Sequence, residues 1–204
     1  MMLRNTYYLV RHGESVFNVT DRNDSGGNPE NNLTQNGIHE IEICAEKLKN
    51  DGVVFDKIIS SPLPRTRESA EIFSHALNMD VSEITFAPLL WEMNHGSEAQ
   101  DKPIQRNYEK KSAYEALHVH YGDGECYWDV RERMIQLITG LEREYVNNTL
   151  LLVTHGTPVW MFYSAVHGLN EEETMQYRHQ RKIEKGFFIK NADPLIMDAT
   201  PPLQ

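Results

Sequence analysis

The stretch Tyr7-Tyr8-Leu9-Val10-Arg11-His12-Gly13-Glu14-Ser15 decides the fold. Its first four residues are apolar or aromatic, long enough for a strand inside a sheet and far too short for a membrane span. The run then stops at an arginine, a histidine and a glycine. Ligands of open α/β sheets bind beyond the carboxyl ends of the strands. A cation and a neutral imidazole at such an end can hold and attack an anion. Gly13 is expected to bend the backbone sharply away, leaving the imidazole to face a cavity. A salt-bridged arginine beside a hydrogen-bonded structural histidine would look the same over so short a stretch, so the rest of the chain has to decide.

With 204 residues, 40% of them hydrophobic and 25% charged, the chain reads as one globular domain, residues 1–204, that can bury a core without metals or disulfides. Cys44 and Cys126 are too few for a disulfide framework and suit a reducing compartment. Met1 to Asn5 leads straight into the first strand, which leaves no room for a signal peptide. No apolar run approaches a membrane span, so a cytoplasmic protein is expected. The net charge of −10, from 30 acidic and 20 basic residues, argues against nucleic acid or an anionic membrane as partner. Any phosphate site must then be a local positive focus in a repulsive field, built from several converging basic groups.

Outward from the opening strand, Val16 to Asn32 is polar, rich in Asn, Asp and Gly, and reads as a long functional loop. Asp21 to Gly26 imitates the start of a calcium loop, but Asn32 stands at the twelfth position where a bidentate Glu is required, so calcium is rejected. Thr34 is a plausible N-cap for a helix with Ile38, Ile41, Cys44, Ala45 and Leu48 on its inner stripe, ended by Asn50-Asp51-Gly52. Cys44 on that stripe is a core thiol. A second strand is clearest at Lys57 to Ser60. Ser61-Pro62-Leu63-Pro64-Arg65 then turns into a helix running to about Leu77, which puts Arg65 in a first helical turn, where the dipole favours an anion. Ile84 to Leu90 is a weaker strand followed by Trp91-Glu92.

Residues 93–124 lose clean periodicity beyond a short helix around Tyr108 to His120, and read as an insertion that caps the site. His118 and His120, without further spaced ligands, fit a solvated or cap-packing role better than a metal. A helix from Glu125 to Tyr145 follows, with Val130, Met134, Leu137, Ile138 and Leu141 inward. Leu150 to Thr154 is the most strand-like run and ends in His155-Gly156. Then come a helix from Pro158 to about Val166 stopped by Gly168, an acidic turn at Glu171 to Glu173, a strand near Gly186 to Lys190, and an irregular tail from Asn191. The sequons at Asn18, Asn23, Asn32 and Asn147 matter only in a secreted protein and are discounted.

Four segments thus end near groups suited to phosphoryl chemistry: Arg11 and His12, Arg65, Glu92, and His155. Strands alternating with helices place such ends along one edge of a mostly parallel sheet, within a three-layer α/β/α fold. Two arginines and a second histidine can neutralise a transferred phosphoryl group without a metal. One imidazole can attack phosphorus, while a carboxylic acid protonates the departing alkoxide and later activates water.

With those residues in view, the chain resembles the histidine phosphatase superfamily (branch 1), which includes cofactor-dependent phosphoglycerate mutase. Leu9-Val10-Arg11-His12-Gly13-Glu14 is similar to its signature. The likeness continues through Leu33-Thr34-Gln35-Asn36-Gly37, Ser60-Ser61-Pro62-Leu63-Pro64-Arg65-Thr66, Leu90-Trp91-Glu92 with Gly96, Gly124-Glu125, and Val153-Thr154-His155-Gly156, in the family's order. The resemblance implies a phosphoglycerate mutase-like fold with a cap insertion at about 93–124. It implies that His12 is the phosphorylated nucleophile and that Arg11, Arg65 and His155 form the phosphate pocket. Asn18 matches a position that contacts the phosphoryl group, Glu92 matches the proton donor, and Glu14 orients other groups. No metal and no cofactor is implied.

The mutases of the family carry Asn-Glu-Arg-His-Tyr-Gly around the acid and a longer basic insertion. Here Trp91-Glu92-Met93-Asn94-His95-Gly96 stands in that place and Thr157 follows His155-Gly156 where mutases tend to have Asn. Ser97-Glu98-Ala99 replaces a Trp-Glu-Gly common among the phosphatases. Arg106, Lys110 and Lys111 fit an exposed helix face better than a carboxylate site. These departures favour hydrolysis of a small-molecule phosphate monoester. Mutase-type transfer, a phosphoprotein phosphatase and a non-catalytic phospho-ligand module stay as alternatives.

Overall fold

The computed structural model describes residues 1–24, 27–100, 102, 112–120, 122–185 and 189–198. Among them, β1 (Thr6–Arg11), β2 (Lys57–Ser60), β3 (Thr85–Phe86), β4 (Thr149–Thr154) and β5 (Leu195–Met197) form one sheet in the order β3-β2-β4-β1-β5. All pairings are parallel except β1 with β5. Helices α1 (Val16–Val19), α2 (Gln35–Asn50), α3 (Pro64–Ala76), α4 (Ala113–His118), α5 (Tyr127–Glu144), α6 (Gly156–His167) and α7 (Glu171–Lys185) fill the connections. No helix among the described residues is long and apolar enough to cross a membrane.

The period-two geometry of β4 explains the layers. Leu150 and Leu152 join Tyr7 and Leu9 in a core with Val130, Met134 and Ile138 of α5 and Trp160 and Phe162 of α6. Leu151 and Val153 face the other way, into a core with Val10, Ile41, Cys44 and Ala45 of α2, and Ala70 and Phe73 of α3. Both faces of β4 are dry, so its sequence is a continuous apolar run with no alternation. The three-layer α/β/α reading holds. Cys44 is buried as expected, and burial pushes its thiol up to about 12, out of reach of ordinary thiolate chemistry.

Several elements differ from what the sequence suggests. The Val16–Asn32 loop opens with the short α1, and a bridge between Ser15 and Leu33 closes its neck. The expected strand Ile84–Leu90 is only Thr85–Phe86. The Ala87 N–H makes the last bond to β2 at 2.8 Å, and Pro88, which has no N–H to give, opens a 3-10 turn over Pro88–Leu90. The acidic triplet Glu171–Glu173 is the first turn of α7, where carboxylates complement the helix dipole and Glu173 exchanges capping bonds with Asn170. The strand expected at Gly186–Lys190 falls partly outside the described residues, and Ile189 and Lys190 lie in no strand. The edge strand is instead Leu195–Met197, in the stretch expected to be irregular, and three residues are too few to show a period. Of the expected helix Tyr108–His120, the described part is α4, and Arg106, Lys110 and Lys111 lie outside the described residues.

Gly13 does not use the left-handed backbone that glycine alone adopts freely, since its φ is not positive. Its role is close approach. A Cβ on Gly13 would stand 2.2 Å from the carbonyl oxygen of Gly37, and one on Gly37 would stand 2.0 Å from that of Glu14. The first turn of α2 therefore presses backbone to backbone on the segment that carries His12. Thr34 caps that turn, its Oγ1 accepting from Gly37 N at 3.0 Å and donating to Glu14 Oε1 at 2.7 Å. Glu14 thus organises the helix start. The Gly37→Ala variant is expected to lose at least about 3 kcal/mol of stability in urea unfolding, since neither backbone can yield. A loss under about 1 kcal/mol would show that the contact relaxes freely.

Candidate active site

The parallel ladder between β1 and β4 pairs Arg11 with Thr154. The next residue of each strand is a histidine, and the two rings lie edge to face with centroids 5.1 Å apart. The His12 N–H continues the ladder to the Thr154 carbonyl at 3.0 Å. On the other side of β4, the Ser61 N–H reaches the Val153 carbonyl at 2.9 Å, and Ser61 Oγ lies 2.9 Å from His155 Nε2. Pro64 then starts α3 with no side-chain cap, and Arg65 in its first turn is buried.

Arg65 is the hub. Its Nε donates to His12 Nε2 at 3.1 Å and its Nη1 to Asp24 Oδ2 at 2.5 Å. Both side chains of that ion pair are nearly inaccessible, at 4% for Arg65 and 5% for Asp24. His12 Nδ1 lies 2.7 Å from the Gly13 carbonyl oxygen, which can only accept. Nδ1 therefore carries the proton, and Nε2 presents its lone pair. His155 Nδ1 is buried with no hydrogen-bond partner. Arg11 donates from Nη1 to the Ile189 carbonyl at 3.0 Å, and its Nε runs 3.9 Å from where a Cβ on Gly156 would be. The guanidinium thus lies along the start of α6.

Burial, with the guanidinium groups of Arg65 and Arg11, holds the pKa of His12 well below the ordinary imidazole value. His155 is lowered in the same way by burial, Arg65, His12, Arg11 and Arg133. Burial also pulls Arg65 down, opposed by the carboxylates of Asp24 and Glu92. The centre is therefore two cations flanking two neutral imidazoles, inside a chain of net charge −10.

Glu92 arrives on the segment after Pro88–Leu90. Thr154 Oγ1 donates to the Leu90 carbonyl at 2.7 Å, tying that segment to the end of β4. Arg133 on α5 fastens it further, from Nη1 to Leu89 O at 2.6 Å and from Nη2 to Glu92 O at 3.3 Å. Glu125 holds that guanidinium through Nε at 2.8 Å and Nη2 at 3.2 Å, and its Oε2 accepts from Asn94 N at 2.9 Å. Gly124 sits where a Cβ would be 2.3 Å from Gly96 N, which locks both ends of the 93–124 segment together. Asn18 lies in α1, exposed, and its Oδ1 accepts from the Ser15 N–H at 3.1 Å and from Asn191 at 3.4 Å. Only its Nδ2 is left to donate to a ligand.

The structure therefore brings His12, His155, Arg11 and Arg65 together, with Glu92 near enough to act electrostatically on Arg65. Asp24 and Arg133 were missed. Arg133 sits eight residues past Glu125 on a helix face, and no local pattern marks it. Asp24 lies in the stretch that imitates a calcium loop, and nothing there points to Arg65. His118 packs between Tyr114, with ring centroids 4.2 Å apart, and Trp128, at 5.0 Å, and pairs with Glu171 at 3.3 Å, a packing role as expected. His120 pairs with Asp129 at 2.8 Å beside Cys126, whose N–H that same carboxylate caps.

The model of the histidine phosphatase superfamily (branch 1) matches residues 7–182. The chain belongs to that superfamily. It is 29% identical over 179 residues to the probable phosphoglycerate mutase GpmB of Erwinia tasmaniensis, covering 84% of this chain and 80% of that one. The corresponding protein of Yersinia pestis is 28% identical over 168 residues, with 79% and 74% covered. Among solved structures, the mycobacterial glucosyl-3-phosphoglycerate phosphatase in complex with VO3 superposes with a TM-score of 0.76 at 19% identity, covering 95% and 92%. A putative alpha-ribazole-5'-P phosphatase from Escherichia coli gives 0.74 at 22% identity, covering 96% and 91%. These structures share the fold, and the family makes the chain an enzyme of the phosphatase class.

The two neutral imidazoles give stability a pH dependence of definite sign. A base whose folded pKa is depressed binds fewer protons folded than unfolded, so stability is full above the unfolded value near 6.5 and falls as pH drops below it. Each group contributes up to about 1.4 kcal/mol per pH unit until its own folded pKa is reached. Urea midpoints should thus decline from pH 7 to pH 5, and His12→Gln should flatten that decline by close to one proton. An identical slope in the variant would mean that His12 is protonated in the folded protein.

Proposed function

We propose that the chain is a metal-independent phosphatase that hydrolyses phosphate monoesters of small molecules through a phosphohistidine on His12. The observation that carries this is the state of that ring: Nδ1 anchored on the Gly13 carbonyl, and the Nε2 lone pair directed at a buried guanidinium. A phosphoryl group entering there would take the Arg65 N–H groups onto its oxygens and leave Nε2 free to attack. Arg11 would hold the same oxygens, and His155 would use its unpartnered Nδ1. Asn18 would add its Nδ2.

In the first step Nε2 gives its electron pair to phosphorus, the ester P–O bond breaks, and the alkoxide takes a proton from the Glu92 carboxyl. In the second step the Glu92 carboxylate takes a proton from water as its oxygen attacks phosphorus. The P–N bond breaks and neutral imidazole returns. The fixed cations supply the charge stabilisation that a metal ion gives elsewhere. Residues 93–124 would form a cap over this centre and select the alcohol.

The relatives named as probable phosphoglycerate mutases favour a second reading, transfer between positions of a phosphoglycerate. Met93-Asn94-His95-Gly96 and Thr157 depart from the mutase pattern, which tips the choice to hydrolysis. Purified protein should hydrolyse an aryl phosphate with a chelator present, and His12→Ala should abolish it. Acid-labile label should be trapped on His12 of the active protein. Activity lost with the chelator, or surviving in His12→Ala, would overturn the mechanism. Conversion of 3-phosphoglycerate only with a bisphosphoglycerate primer would select the mutase.

Glu92→Gln should slow alkyl phosphates by about a hundredfold or more, the usual scale of general acid catalysis, and aryl phosphates far less. Equal losses on both substrate classes would take the acid role from Glu92.

A further inference from the structure

The Asp24 carboxylate lies where the proposed mechanism needs a substrate oxygen. It touches Arg65 Nη1 at 2.5 Å, inside the same guanidinium whose Nε contacts His12 Nε2 at 3.1 Å. It is held there deliberately by its own loop. Oδ1 accepts from the Asn28 N–H at 2.7 Å, and Oδ2 accepts from Asn31 Nδ2 at 2.8 Å. Asn31 is buried and its Oδ1 in turn accepts from the Phe17 N–H at 3.1 Å, which fixes the carboxylate to the start of α1. Arg22 lies over the Phe17 ring, its Cζ 4.5 Å from the centroid, and the bridge from Ser15 to Leu33 closes the loop.

A buried guanidinium without a counter-charge is costly, and a carboxylate is a two-oxygen planar mimic of one face of a phosphoryl group. We propose that Asp24 is a built-in counter-anion of the phosphate site, which neutralises Arg65 when the site is empty and competes with phosphoryl oxygens for it. The inference rests on the reading of Arg65 as a phosphate ligand. Two consequences follow from charge alone. The occupied site carries a substrate anion next to a carboxylate, so phosphate binding is weaker than two arginines would otherwise give. Inorganic phosphate, the product, meets the same competitor, and the returning carboxylate favours its departure.

The test is the inhibition constant of inorganic phosphate against aryl phosphate hydrolysis, in the native protein, Asp24→Asn and Arg65→Ala. Asp24→Asn should bind inorganic phosphate roughly tenfold more tightly or better, because a neutral amide no longer repels the anion. Its KM for the aryl phosphate should fall with it. A residue with a purely structural role in the loop would instead raise KM or leave it unchanged, and either result overturns the inference. Arg65→Ala should weaken phosphate strongly. If it does not, Arg65 is not a phosphate ligand, and the mechanistic reading fails together with this one. A normal Arg65 dependence with no tightening in Asp24→Asn sinks the competition alone.

Should Asp24→Asn fail to fold, a crystal structure of the native protein with orthovanadate decides. The Arg65–Asp24 contact should be broken and the guanidinium turned onto vanadate oxygens. An ion pair kept intact beside bound vanadate would overturn the proposal.

Discussion

The site depends on the register of a single ladder. Arg11 of β1 pairs with Thr154 of β4, and each strand releases the chain one residue later at a histidine. A shift of one residue in that ladder would move one imidazole to the opposite face of the sheet and swap the contents of both cores. The register is therefore held by the burial of Leu150 and Leu152 on one face and Leu151 and Val153 on the other. Parallel strands with dry faces cannot slip without exposing that surface. The backbone contact of Gly13 with Gly37 acts from outside the sheet to the same end. Packing, rather than any bond between the two rings, sets the 5.1 Å between them.

Around that pair the electrostatics work by offset. Two guanidinium groups lie against two imidazoles, and burial with the nearby cations keeps both imidazoles unprotonated. Each arginine needs its own acceptors in turn. Arg11 uses the Ile189 carbonyl, whose neighbour Ala192 donates back to the Arg11 carbonyl at 2.9 Å. Arg65 has His12 and Asp24. The chain's net charge of −10 matters little at short range, because the cations stand beside the two buried imidazoles and Arg65 has the Asp24 carboxylate as its own counter-charge.

Much of this was legible in the residues themselves. Arg11-His12, Arg65 after a proline turn, Glu92 and His155-Gly156 each follow an apolar run, and βαβ chirality brings such ends to one edge. The apolar run of β4 and the stripes of α2, α3 and α5 gave the layers. What stayed hidden has physical causes. Leu195–Met197 and Thr85–Phe86 are too short to show a period. The acidic triplet that opens α7 resembles a turn until the helix dipole is counted. Gly13 looks like a bend because its real partner, Gly37, lies across the fold and only coordinates bring them together. Asp24 hides for a deeper reason: a carboxylate in a polar loop announces calcium or solvent, and nothing local says that an arginine forty-one residues later will need it.

The segment that carries Glu92 shows how the fold positions a residue outside any regular element. Glu92 belongs to no regular element, yet its backbone is fastened by Thr154 Oγ1 through Leu90 and by Arg133 through Leu89 and Glu92. Arg133 is in turn clamped by Glu125, and Glu125 also holds Asn94, so one ion pair joins α5 to both ends of the 93–124 segment. The clamp is partly buried, where a bidentate guanidinium–carboxylate pair has directional strength that a surface pair lacks. Its anchor points are the main-chain carbonyls of Leu89 and Glu92, so it fixes the backbone at Glu92 directly. A backbone fastened at Leu89, Leu90 and Glu92 thus holds the Glu92 carboxylate close enough to act on Arg65, although no helix or strand contains it.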